Sequence, residues 1–197
     1  MIGIQQSDAG RDYGADGRSI VERCAFDEGH PEAMQDVVIR PITLADIEQF
    51  QQVTSVVMRE RRYMAFVEGF PIDEAAAFVA RNLRLGNPQL VADDAGRVVG
   101  WCDIRRETIP VYAHAGHLGM GLLPEYRGRG IGERLIRASI EAARAAGFER
   151  IELTVYARNE RAASLYRKVG FVHEGTRARG KKLDGEYDDV HMMGMLL

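Results

Sequence analysis

Arg127-Gly-Arg-Gly-Ile-Gly132 places two arginines and three glycines within six positions, just behind Leu122-Leu-Pro-Glu-Tyr126 and ahead of a helical run to about Ala146. The start of a helix carries orphan N–H groups and the positive end of the helix dipole, so it attracts anions. Gly128, Gly130 and Gly132 let those N–H groups approach a phosphate closely, and Arg127 and Arg129 add charge. The chemistry implied is diphosphate binding. The spacing is not G-x-G-x-x-G, and no Gly-Lys-Ser/Thr follows, so neither the dinucleotide fingerprint nor the NTPase phosphate loop is present.

The segment ahead of this loop, Leu118 to Leu123, is apolar but carries Gly119 and Gly121. Glycine within a strand marks a bulge or a close approach by another backbone or a ligand, and Pro124 ends the strand because it cannot donate to a ladder. Upstream, residues 37–42 read as a strand. Leu44, Ile47, Phe50 and Val53 form the stripe of a helix that starts at Thr43 or Asp46 and ends near Met58. A mixed loop spans 59–71, and a second helix runs from about Asp73 to Leu85, stopped by Gly86. Strands at 89–93 and 98–106 flank a tight turn, Asp94-Ala-Gly-Arg97. Downstream come a strand at 150–155, a helix at 160–169 stopped by Gly170, and strands at 171–177 and 188–196 around a polar loop, Gly180 to Glu186. The order β-α-α-β-β-β-α-β-α-β-β predicts a mixed α/β sheet covered by helices. Residues 1–36 lack apolar periodicity and are expected to be a flexible N-terminal extension, of which 1–33 are dispensable; the domain is expected to span 37–197.

The chain of 197 residues is 46% hydrophobic and 28% charged, with a formal net charge of -3. That composition suits one soluble domain and gives no global argument for nucleic acid or an anionic membrane. Cys24 and Cys102 form no disulfide framework and no metal-ligand spacing. No apolar run approaches a membrane span and no signal peptide is evident, so the cytoplasm is the expected location.

Read as R-x-x-G-x-G, residues Arg127, Gly130 and Gly132 resemble the acetyl-CoA signature of the GNAT-type N-acetyltransferases. Asn159 to Phe171, NERAASLYRKVGF, resembles that family's N-x-x-A-x-x-L-Y-x-x-x-G-F stretch, and Val38 to Asp46 is similar to the opening strand and helix of many members. Two independent motifs at the right separation are far more specific than either alone. The resemblance covers 37–197 and implies a mixed, mostly antiparallel central sheet flanked by helices. It also implies transfer of an acetyl group to a primary amine by direct attack in a ternary complex, with acetyl-CoA as cosubstrate and no metal. By the same resemblance, backbone groups of Gly121, Leu122 and Leu123 would bind the pantetheine arm where the central strand splays from the next, and an N–H there would polarise the thioester carbonyl. The N–H groups of Arg127, Gly128, Arg129, Gly130, Ile131 and Gly132 would hold the pyrophosphate. Tyr166 would give its phenolic proton to the leaving thiolate. Asn159 is suited both to capping the helix and to touching the cofactor. The base stays open: His117 stands where many members carry a glutamate, and Glu107, Glu125 and His191 are further candidates. Acceptor specificity is expected in the early helices and in the loops 59–72 and 178–187. The acceptor is expected to be a small-molecule amine, with a protein N-terminus (the ribosomal-protein type), a non-catalytic acyl-CoA sensor and a nucleotide-binding regulator as alternatives. No nucleic-acid or membrane partner is expected, and a homodimer is compatible with such a fold.

Overall fold

Strand register decides where the functional residues end up. In the computed structural model, which describes residues 37–197, seven strands form one sheet in the order β1-β2-β3-β4-β5-β7-β6. They are β1 (Val38–Pro41), β2 (Gln89–Asp94), β3 (Arg97–Arg106), β4 (Ala115–Leu122), β5 (Arg150–Tyr156), β6 (Val172–Leu183) and β7 (Glu186–Leu196). Four α-helices accompany them: α1 (Ile47–Arg59), α2 (Ile72–Leu85), α3 (Ile131–Ala145) and α4 (Glu160–Val169). Every neighbouring pair is antiparallel except β4 and β5, which are parallel. The element order is the one expected from sequence; the expectations for residues 1–36 lie outside the described residues.

Side chains alternate between the two faces of a strand, so β3 divides the core. Trp101 meets Phe50 of α1 edge-on, 6.1 Å between centroids. Its neighbour Cys102 faces Ser139 of α3. Helices α1 and α2 therefore cover one face, and α3, with α4 beside it, covers the other. Because both faces are covered, Val91, Val98, Val99, Cys102 and Ile104 are almost fully buried. At the sheet edge, Arg40 of β1 bonds to Asp46 at 2.8 Å and to Asp93 of β2 at 2.7 Å, tying the start of α1 to two strands. The Arg40 guanidinium holds the Asp46 carboxyl down at about 2.

The last hairpin differs from expectation. The polar segment 180–186 is mostly strand, with Lys181 opposite Asp188, Lys182 opposite Tyr187 and Leu183 opposite Glu186. The connection is only Asp184-Gly185, both left-handed at φ 51° and 86°. Asp-Gly is a strong two-residue hairpin signal, and the charged cross-strand neighbours hid it. The hairpin is therefore longer than the composition suggests.

Candidate active site

Strands β4 and β5 pair only at Ala115–Arg150, Gly116–Ile151 and His117–Glu152. Beyond these pairs β4 follows β3 and β5 follows β7, so the two strands part and open a trough. The trough belongs to a cleft of about 640 Å³ lined by β4 from His117 to Leu122, by Thr154 and Tyr156 of β5, by the glycine-rich loop and by α4. The Leu123 N–H donates to Val99 of β3 at 2.9 Å. By antiparallel alternation, Gly121 and Gly119 also turn their backbone groups toward β3, while Met120 and Leu122 turn theirs toward the trough. Of the expected group around Gly121 to Leu123, Leu122 turns its N–H toward the trough while its carbonyl accepts from Arg127, and the Leu123 N–H is engaged by β3. Met120, which the glycine spacing did not single out, faces the same way as Leu122.

The glycines of β4 also have another cause. A Cβ on Gly121 would run into the Trp101 ring, and one on Gly119 would come within 3.3 Å of the Asp103 carboxylate. Cross-strand packing from β3 thus requires the glycine at 121 and favours it at 119, the close approach by a neighbour that a strand glycine marks.

At the start of α3, Gly128 and Gly130 hold φ of 82° and 78°, a region in which glycine alone is at ease. The first bond into the helix runs from Arg134 N to Gly130 O at 3.1 Å. That leaves Ile131, Gly132 and Glu133 with N–H groups that have no intrahelical acceptor. A Cβ on Gly130 would meet open space, as a cradle for a bound group requires. Gly128, Gly130 and Gly132 line the cleft; the Leu123 and Ile131 side chains point into the core.

The two arginines behave differently from each other. Arg127 grips Glu60 with both terminal nitrogens, donates from Nε to Leu122 O at 2.9 Å, and lies 5.3 Å above the Tyr63 ring. It joins the end of β4 to the end of α1. Arg129 is exposed, with its guanidinium 5.6 Å over the Tyr126 ring. The next residue after Glu60 reaches the other way. Arg61, left-handed at φ 57°, pairs with both oxygens of Asp184 in the β6–β7 turn at 2.7 and 2.8 Å. Residues 60 and 61 thus strap the loop that carries Tyr63, Met64 and Phe66 into the cleft between its two banks.

Tyr166 of α4 lines the cleft at 8% exposure, its ring edge-on to Phe171, and burial pushes its phenol above the ordinary value. Asn159 caps α4 by accepting from Ala162 N at 3.3 Å and lines the same cleft. His117 lines it from β4. Burial first, then Arg105, holds its pKa below the ordinary 6.5. The other candidate bases lie elsewhere. Glu125 pairs with Arg97, His191 bonds to Thr176, and Glu107 lines an adjoining chamber that His117 also borders. Sequence reasoning also missed Arg105, Thr154 and Tyr156, which the period-2 alternation of β3 and β5 brings to the cleft. Beside Gly119, Asp103 is buried and desolvation pushes its carboxyl up to about 6.

The family model described as "Acetyltransferase (GNAT) family" matches residues 50–171. The chain is 36% identical over 111 residues to the L-amino acid N-acetyltransferase AaaT of Escherichia coli, covering 56% of this chain and 68% of that protein. It is 32% identical over 165 residues to an N-alpha-acetyltransferase of Sulfurisphaera tokodaii, covering 79% and 90%. Other relatives are spanned less fully, down to 40% of a Mycobacterium leprae protein. Its fold matches yncA of Salmonella typhimurium, solved with its cofactor acetyl-CoA, at a TM-score of 0.78 and 18% identity over 82% of this chain and 94% of that one. The chain belongs to the GNAT acetyltransferase family, and is an acyltransferase by class.

Proposed function

We propose that the chain moves an acetyl group from acetyl-CoA to the primary amine of a small metabolite, and that residues 37–197 carry this activity. The observation that carries the reading is the conjunction, in one cleft, of the parted β4–β5 pair, the left-handed glycine loop and the buried Tyr166. Among the described residues, no helix is long and apolar enough to cross a membrane. The residues fit the cofactor: orphan N–H groups of Ile131, Gly132 and Glu133 suit its diphosphate, and the backbone of Met120 and Leu122 suits its extended arm.

Bound acetyl-CoA supplies an activated acyl group on sulfur; the remaining tasks fall to the chain. His117, uncharged near neutrality, takes a proton from the acceptor's ammonium and leaves a nucleophilic amine. An N–H of the β4 backbone stabilises charge on the carbonyl oxygen. Tyr166 keeps its proton throughout the neutral range and holds it for the departing thiolate. The loop at 60–66 walls one side of the cleft with Tyr63, Met64 and Phe66.

The test follows amine-dependent release of free thiol from acetyl-CoA, with acetylated product confirmed by mass. Tyr166→Phe should lower kcat about 10²-fold or more while leaving acetyl-CoA binding within about twofold. No release with any primary amine would favour a non-catalytic acyl-CoA sensor.

A further inference from the structure

The cleft does not end at His117. Arg105 and His117 also line a second chamber of about 380 Å³ beside α2, walled further by Arg81, Asn82, Arg106 and Glu107. Arg105 and His117 are thus common to two cavities: the cleft, whose lining includes the apolar Met64 and Phe66, and this cation-rich chamber.

Arg105 borders both. Its side chain is 44% exposed, its Nε lies 3.3 Å from Asp103 Oδ2, and its guanidinium rests 5.9 Å over the Phe78 ring. Asp103 is buried, and the contact is not aligned as a hydrogen bond, so Oδ2 is left without a donor. A buried carboxylate thus anchors the guanidinium from beneath and leaves donor capacity toward the cleft. Of the other cations lining the cleft, Arg127 is engaged by Glu60 and Lys168 by Glu133, while Arg161 stands beside Gly128 at the glycine-rich loop.

An α-amino acid sends an amine, a carboxylate and a side chain from one carbon in three directions. Resting on the acetyl-transfer reading above, we propose that the acceptor is a free α-amino acid with an apolar side chain, its carboxylate bound by Arg105, its side chain on Met64 and Phe66, and its amine at His117. A planar guanidinium matches a carboxylate in a fixed fork. A peptide N-terminus offers only a neutral carbonyl at that position, and a polyamine brings a cation that Arg105 repels. Asp103 is a positioning residue in this scheme, since it acts through Arg105.

The experiment measures thiol release with L-phenylalanine, L-leucine and L-methionine, each beside its carboxamide, together with a Phe-led tripeptide and spermidine. Each free acid should exceed its amide in kcat/KM by about 10-fold or more. Arg105→Gln should lower the acids about 10- to 100-fold, as loss of a charge-assisted bond does, and so close the acid–amide gap. Arg105→Lys should restore part of the loss. Acetyl-CoA affinity should not move in either variant. Amides, tripeptide or spermidine used as well as the acids would overturn the proposal, as would acids unaffected by Arg105→Gln. Should that variant fail to fold, the acid–amide ratio of the unsubstituted chain and Arg105→Lys still decide. Acetyl-CoA that stabilises the chain while no acid accepts also overturns it; acetyl-CoA that does not bind overturns the underlying reading instead.

Discussion

His117 is held below its ordinary pKa of 6.5 by burial and by Arg105, with Glu107 and Glu152 pulling the other way and Arg177 adding to the depression. A base works only when deprotonated, so kcat should rise with pH through a midpoint below 6.5 and then level off. His117→Gln should flatten that limb and lower the plateau about 10²-fold. A pH–rate profile on the strongest acceptor reads this; an unchanged limb in His117→Gln would hand the base to another group. At this scale much of the site was legible. Tyr166 and Asn159 share a helical face because seven residues make two turns, and the motif containing them specifies both. Arg127 was harder. An arginine beside a phosphate loop looks like an anion ligand, and nothing local shows that Glu60, distant in sequence, will take its guanidinium. Met120 was hidden because backbone direction depends on which neighbouring strand claims the alternate residues.

Between elements, the Glu60–Arg61 strap joins the cofactor bank to the β6–β7 hairpin. Exposed ion pairs contribute little to stability, so Asp184→Asn should leave Tm unchanged. It should nevertheless loosen the loop bearing Met64 and Phe66, raising the acceptor KM about two- to fivefold with acetyl-CoA affinity constant. Steady-state kinetics with each substrate varied separately checks this; equal changes in both KM values would contradict a role confined to the acceptor side. The helices were readable from their 3.6-residue stripes and from the left-handed stops Gly86 and Gly170. The hairpin was not, because Lys181, Lys182 and Glu186 look like a solvated loop until cross-strand pairing with Asp188, Tyr187 and Leu183 is known.

For the molecule as a whole, one register error would dissolve the account. If β4 continued along β5 beyond His117, the trough would close, and Met120 and Leu122 would bond to protein instead of ligand. The chain order of the elements and the mixed α/β pattern were legible from their succession, and the mostly antiparallel sheet was implied by the family resemblance, but the place where the parallel pair parts is a tertiary property that no local pattern encodes. Its consequence is measurable in one titration: thermal unfolding of the full chain with saturating acetyl-CoA, with ATP and with NAD, repeated on Gly130→Val. At about 100 times Kd a ligand contributes about 2.7 kcal/mol, which for a chain of this size is a rise of about 5–10 °C. The account predicts that rise with acetyl-CoA alone, and its loss in Gly130→Val, where a β-branched side chain would enter the open cradle at φ 78°. No rise with acetyl-CoA, or an equal rise with ATP or NAD, would contradict it.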